Sequence, residues 1–177
     1  DAEPFPLHME AGRFEQGDVM VSLRNVNTVF VFSRQTGKIK YISEAGMFRH
    51  QHDADFIDGN TFSVFDNNVH SPFEWEPDAQ SRIVIISAVD NSMRVAFEGN
   101  SEQPFFSRIM GKHQWLENGH LLITESMEGR AIEVDETGKI IWEWTNRVGQ
   151  NIAGVVEEVY RIPDDQQADI RKQLQSM

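Results

Sequence analysis

The chain of 177 residues contains no cysteine. Disulfide bonds, thiolate zinc sites and cysteine nucleophiles are therefore excluded, because each of them requires a thiol. The sequence has no run of apolar residues close to the roughly 18 that form a membrane-spanning helix. It shows no secretory signal peptide, and its first residue is Asp1 rather than methionine. We expect one domain with its own hydrophobic core, no membrane insertion, and a chain that is processed or incomplete.

Basic residues are scarce: 16 lysines and arginines stand against 28 acidic residues, which gives a formal net charge of -12. Nucleic acids and anionic membranes attract proteins with a positive field, so neither is expected as a partner. A small anionic substrate held by a few local cations stays compatible with this composition. The commoner reason for such an excess is an acidic, solvated surface that keeps a protein soluble.

What the chain does contain is a repeated pattern, a histidine followed by a β-hairpin. The clearest copy has His52 before a short apolar segment, a turn at Asp58 and Gly59, and an alternating strand over residues 61–65. An Asp-Gly pair between alternating apolar runs favours a tight hairpin, because glycine adopts positive φ without steric cost. The same order of features begins at His8 and at His113.

Each copy continues into a second hairpin, so that a copy comprises four short strands. The histidine lies on the first strand of each copy. The other three predicted strands are 19–23, 28–33 and 38–42 in the first copy, 61–65, 82–88 and 93–97 in the second, and 120–124, 130–134 and 139–144 in the third. Four-stranded antiparallel units in tandem are typical of β-propeller blades. The alternative is an ordinary sandwich or barrel of short strands, which alternation alone would permit. The sequence therefore predicts an all-β fold, a propeller of about three blades.

The predicted division of the chain follows from these repeats. Propeller blades cover residues 1–163, as segments 1–45, 46–99 and 100–146 with a closing strand over 155–162, and a helical tail covers 164–177. A long loop over 69–80 interrupts the second copy. Propellers usually close with four to eight blades. Three blades thus predict part of a larger ring, completed by residues absent from this chain or by another chain or copy.

Histidine and arginine are the side chains that could carry chemistry. Three imidazoles on inner strands could bind a divalent metal, but no carboxylate pair has ligand spacing and isolated strand histidines are usually structural. We predict neither a metal nor a cofactor. Arginine offers a planar fork suited to sulfate, phosphate or carboxylate, and surface ion pairing is the alternative. Cations near the predicted ends of inner strands are Arg24, Arg49, Arg82, Arg108, Lys112 and Arg130.

A set of motifs spans nearly the whole chain. They are residues 17–25, Gln-His-Asp-Ala-Asp-Phe at 51–56, Phe-Asp-Asn at 65–67, Phe-Ser-Arg at 106–108, residues 118–126, and residues 141–146 and 159–163. Together they resemble the arylsulfotransferase (arylsulfate sulfotransferase) family. Gln-His-Asp-Ala followed by Phe-Asp-Asn is fairly specific, whereas Asn-Gly and Thr-Gly turns occur in many propellers.

The resemblance implies a six-bladed propeller, of which this chain would be the C-terminal region, and a periplasmic or secreted location. It also implies transfer of a sulfuryl group from an aryl sulfate to a phenol, through a transiently sulfated histidine in the central channel. By this resemblance His8 and His52 match histidines that contact the sulfate. Arg24 and Arg108 are the cations expected to assist.

The chain departs from the family pattern at three places. The arginine expected after Phe-Asp-Asn is absent, and only Arg82 could replace it. No histidine stands between 126 and 130, where the family's nucleophile is expected, and Glu10 stands where the pattern has asparagine. The hypothesis of a sulfotransferase therefore competes with that of a non-catalytic propeller, which binds a protein or small ligand or is a structural subunit of a larger assembly.

Overall fold

The computed structural model describes residues 1–71 and 79–175, and nearly all regular structure in them is β. The strands are β1 Ala2–Pro4, β2 Asp18–Leu23, β3 Thr28–Ser33, β4 Ile39–Ile42, β5 His52–Phe56, β6 Thr61–Asp66, β7 Arg82–Ser87, β8 Met93–Glu98, β9 Lys112–Trp115, β10 Leu121–Glu125, β11 Arg130–Val134, β12 Ile140–Thr145, β13 Arg147–Gly149 and β14 Ile152–Ala153. A 3-10 turn covers Arg24–Val26, and helix α1 covers Asp164–Gln175.

Three four-stranded antiparallel sheets form from strands that are consecutive in the chain. They comprise β1 to β4, β5 to β8, and β9 to β12, while β13 and β14 pair separately. The predicted all-β fold of four-stranded antiparallel blades with a short C-terminal helix is thereby confirmed. Closure into a ring stays a prediction. The first strands of the sheets, β1, β5 and β9, are neighbours in that order, so their residues lie together along one inner surface.

The core lies between the sheets. Phe14, Phe48 and Phe62 are fully buried between the first and second sheets, and Phe65 and Phe105 between the second and third. The middle sheet is therefore buried on both faces. This explains why β7 reads as a continuous apolar run rather than as an alternation, since successive side chains on a strand point to opposite faces.

The strand predicted over residues 155–162 is not formed. Instead the backbone N–H of Val159 donates to Thr124 Oγ1 (2.9 Å) and that of Arg161 donates to Gln114 Oε1 (2.8 Å). A strand needs a ladder of backbone carbonyls, whereas these donors are taken by side-chain oxygens of β10 and β9. The segment therefore follows the third sheet as irregular extended chain.

His8 was expected on an inner strand, but the inner strand of the first sheet is β1, and His8 lies exposed in the loop that follows it. The loop predicted over 69–80 falls largely outside the described residues, because 72–78 are not among them. Within the described chain, α1 is a polar helix of 12 residues, far short of what crosses a bilayer.

Candidate functional site

The starts of the three inner strands meet around a cavity of about 200 Å³. Its walls include Asp1 beside β1, His52 at the start of β5 and Lys112 at the start of β9. Asp53, Met110, Gly111 and Glu157 complete the lining. The repeat explains this convergence, because equivalent positions of successive blades lie side by side along the inner surface.

His52 has one fixed hydrogen bond in this cavity. Its Nδ1 lies 2.7 Å from Oδ1 of Asn67, a side chain that is itself fully buried. The amide nitrogen of Asn67 donates to the carbonyl oxygens of Ser107 (2.6 Å) and Met110 (2.7 Å), so Oδ1 is the atom that faces the imidazole. An amide oxygen only accepts hydrogen bonds, so the proton of the neutral ring is assigned to Nδ1.

The electrostatic surroundings of His52 favour its neutral form. Burial lowers the pKa of His52 below its ordinary value, and the nearby positive charge of Arg24 acts in the same direction. The hydrogen bond that His52 donates to Asn67 opposes this lowering of the pKa without cancelling it. At neutral pH the ring is therefore uncharged, and Nε2, which has no hydrogen-bond partner among the described residues, carries a lone pair.

Arg24 is near enough to His52 for its charge to act on the imidazole, and it has unused donors. It begins the 3-10 turn between β2 and β3, and Nη1 donates to Asn25 Oδ1 at 3.1 Å. Its Nε and Nη2 are buried and have no hydrogen-bond partner within residues 1–71 and 79–175. A buried N–H left unpaired costs about 1–3 kcal/mol, so such donors in a folded protein require an explanation.

Hydrogen bonds tie the turn that carries Arg24 to the segment that precedes His52. The backbone N–H of His50 donates to Asn27 Oδ1 (2.8 Å). One residue further, Gln51 Nε2 donates to Ser22 Oγ (3.1 Å). Contacts between the first and second sheets thus hold the turn of Arg24 near the segment of His52, and the charge of Arg24 is felt at that imidazole. A guanidinium is a group suited to binding an oxyanion.

The other predicted site residues lie elsewhere. Arg82 donates from Nε to the buried Asp66 (2.7 Å) and from Nη2 to the carbonyl of Met47 (3.1 Å), so it serves the structure of the second sheet. Arg108 lines a different cavity of about 600 Å³, with Phe106, Glu125 and Arg130. His8 lines a third cavity of about 640 Å³ near Trp115 and Tyr160. Of the five predicted residues, His52 lines the cavity of about 200 Å³ and Arg24 acts on it through its charge, whereas Arg82, Arg108 and His8 belong to other contacts and cavities.

A second buried network lies beside the site, across the second and third sheets. Asp53 accepts from Lys112 Nζ (2.7 Å) and from Nδ1 of His113 (2.9 Å), while Nε2 of His113 lies 2.6 Å from Ser63 Oγ. Burial alone would lower the pKa of His113, but the bond to Asp53 and its charge raise that pKa above its ordinary value. The bond to Asp53 thus favours the charged form of His113 between the sheets.

Within the described residues, Asp53, Asp55 and His113 form the one group with the spacing of metal ligands. Their candidate ligand atoms all lie within 4.8 Å of one another. However, Lys112 and His113 occupy the oxygens of Asp53, and Ser63 occupies the Nε2 of His113. The group is therefore satisfied internally as an ion-pair network, and we assign no metal to it.

Sequence reasoning missed Asn67 and the pairing of Asp53 with His113. Asn67 belongs to the Phe-Asp-Asn motif, so its presence was visible but its contact with His52 was not. Asp53 and His113 are sixty residues apart, and neither spacing nor composition relates them.

Comparison with known proteins gives one positive result. The family described as "Arylsulfotransferase (ASST)" has a model that matches residues 7–147 of the chain. The matched range includes both Arg24 and His52, as well as Asn67. No curated protein matches the chain.

Proposed function

Because this chain belongs to the arylsulfotransferase family, we propose that it transfers a sulfuryl group between phenolic compounds at the cavity beside His52. The observation that carries the proposal is the pair of buried donors on Arg24 that lack a partner among the described residues, together with the effect of the Arg24 charge on His52, whose Nε2 accepts no hydrogen bond there. Sulfate oxygens would satisfy those donors, and a sulfur atom held there would face a nucleophile.

The chemistry requires two displacement steps. In the first, the lone pair of His52 Nε2 attacks sulfur and the bond from sulfur to the aryl oxygen breaks. The phenoxide leaves with the electron pair of that bond and takes a proton from water. In the second, the oxygen of an acceptor phenol attacks sulfur, the N–S bond breaks, and its electrons return to Nε2. The proton of the acceptor passes to water, and Arg24 stabilises charge on the sulfuryl oxygens in both steps.

A non-catalytic binding module is the second candidate, and one observation favours it. The carboxylates of Asp1, Asp53 and Glu157 line the same cavity, and like charges disfavour an anionic ligand. Lys112 pairs closely with Asp53 (2.7 Å) and more distantly with Asp1 (3.9 Å), so one ammonium faces three carboxylates in the cavity. A cavity of this kind could hold a ligand without turning it over.

Two wider properties also belong to the proposal. The family generally occurs in the periplasm or outside the cell, and we propose the same location for this protein. We further propose that another chain or copy completes the ring of blades. The apolar residues exposed on the outer face of the first sheet support this, among them Leu23, Ile39 and Ile42.

The test is release of para-nitrophenol from para-nitrophenyl sulfate with phenol as acceptor. The wild-type protein in its native assembly should show acceptor-dependent turnover, and His52→Ala should lower kcat by at least about 10³-fold, since the nucleophile is lost. His8→Ala, the matched control in a different cavity, should stay within about threefold. A folded wild-type protein without turnover would leave the binding module as the explanation.

A further inference from the structure

The side chain of Asn67 is fully buried between the second sheet and the segment that leads into β9. All of its hydrogen-bonding groups are engaged: Nδ2 donates to two backbone carbonyls, and Oδ1 accepts from His52. A flipped amide would turn its oxygen toward the carbonyls of Ser107 and Met110 and lose both bonds. The orientation of the amide is therefore determined by the backbone.

The two carbonyls are themselves held in place. The backbone N–H of Ser107 donates to Ser81 Oγ (2.9 Å), and the hydroxyl of Ser107 donates to the carbonyl of Ile109 (3.0 Å). Met110 has a positive φ of 65°, which is uncommon for a residue with a side chain and turns its carbonyl toward Asn67. The loop is thus shaped to present both acceptors to one amide nitrogen.

We propose that Asn67 is a positioning residue, which keeps the proton of His52 on Nδ1 and directs the lone pair on Nε2 toward the sulfuryl group. This inference rests on the proposed function and adds to it the residue that prepares the nucleophile. The hydrogen-bond partner of one imidazole nitrogen decides which of the two nitrogens carries the proton. Without Asn67 the proton would be free to occupy Nε2, and that nitrogen would then have no lone pair with which to attack sulfur.

The choice of an amide rather than a carboxylate has a chemical reason. A carboxylate at this position would stabilise the imidazolium, and a protonated ring has no lone pair with which to attack sulfur. An amide fixes the tautomer and leaves the ring neutral. The neighbouring His113, whose Nδ1 faces Asp53, shows the opposite outcome on the next strand.

The experiment is a long-range ¹⁵N–¹H correlation spectrum of protein labelled with ¹⁵N-histidine, in which His52 is assigned by comparison with His52→Gln. In the wild-type protein at neutral pH, we expect His52 to carry its proton on Nδ1. In Asn67→Ala the ring should become a mixture of tautomers. The same variant should lower kcat about 100-fold and leave KM within about threefold, because sulfate binding by Arg24 is retained.

Ser81→Ala is the matched control, because Ser81 supports the same loop through Ser107 without contacting His52. It should lose some stability and keep the Nδ1-protonated tautomer. A wild-type spectrum with the proton on Nε2 would overturn the inference, even if Asn67→Ala failed to fold. So would unchanged kcat in a folded Asn67→Ala. A wild-type protein without turnover would overturn the proposed function, while the spectrum would still decide whether Asn67 orients the ring.

Discussion

His52 and His113 lie near the starts of adjacent inner strands, and the structure gives them opposite properties. The Nδ1 of His52 donates to an amide, and its pKa is lowered, chiefly by burial. The Nδ1 of His113 donates to a carboxylate, and its pKa is raised although the side chain is completely buried. The residue type is the same in both places and both rings are affected by burial, so the charge of the partner decides whether the lowering of the pKa by burial prevails or is overcome.

The two networks also differ in their balance of charge. Around His52, the donors of Arg24 lack a counter-ion among the described residues. Around His113, carboxylates are in excess: Asp53 is ion-paired, and the pKa of Asp55 is raised to about 6 by burial and by the charge of Asp53. The network around His113 thus joins the second and third sheets, whereas the buried donors of Arg24 are left without a partner in the described part of the chain.

The largest effect should come from Asp53→Asn. Asp53 has a φ of 49°, and asparagine tolerates this left-handed conformation, so the change removes charge without adding backbone strain. It leaves the cations of His113 and Lys112 without their buried partner. The free energy of unfolding should fall by about 3 kcal/mol, as measured by urea denaturation.

His52→Gln is the control variant for the denaturation of Asp53→Asn. It removes one hydrogen bond at a partly exposed histidine and no ion pair, so the free energy of unfolding should change by about 1 kcal/mol or less. Equal losses for the two variants would show that the networks do not divide into a structural and a functional one.

A smaller effect should appear in the pH dependence of stability, through Glu3 of β1. Burial, followed by the charge of Asp55, raises the pKa of Glu3 to about 7. The native state therefore binds a proton that the unfolded chain has released, and stability present at low pH is lost as the pH rises through about 7. His113, with its raised pKa, acts in the same direction.

Urea denaturation at pH 5 and pH 8 would measure this loss. Because Glu3 is partly exposed, we expect about 1–2 kcal/mol less stability at pH 8, after allowance for screening by solvent. Glu3→Gln should reduce the difference, since glutamine does not titrate. The exposed Glu102→Gln should leave it unchanged. Parallel pH profiles for wild type and Glu3→Gln would contradict the prediction.

The smallest effect on stability, and one of opposite sign, is expected for Arg24→Met. Methionine fills a similar space without unpaired donors, so the free energy of unfolding should rise by about 1 kcal/mol while sulfuryl transfer is lost. Denaturation and the para-nitrophenyl sulfate assay measure the two effects. Arg82→Met removes the ion-pair partner of the buried Asp66, so it should instead lower the free energy of unfolding. If Arg24→Met lost as much stability as Arg82→Met, Arg24 would have a structural role.

The sequence identified the candidate site in part. The motif around 51–56 led to His52, and the motif at 17–25 led to Arg24, because each lies in a stretch with a recognisable local pattern. His8 was placed on an inner strand by analogy with His52, but β1 begins earlier and His8 follows it. The sequence could not distinguish Arg24 from Arg82 and Arg108 as a site residue, because the partners of these arginines come from other strands and loops.

The amino-acid sequence by itself determined the repeat, the strands and their hairpins, since alternation and turn residues act between neighbours in the chain. It did not determine which side chains meet. The contacts of Asn67 with residues 107 and 110, and of Asp53 with His113, join segments separated by 40 to 60 residues. Only the packing of one sheet against the next brings those groups within hydrogen-bonding distance. The tertiary structure therefore decided which histidine has its pKa lowered and which has it raised.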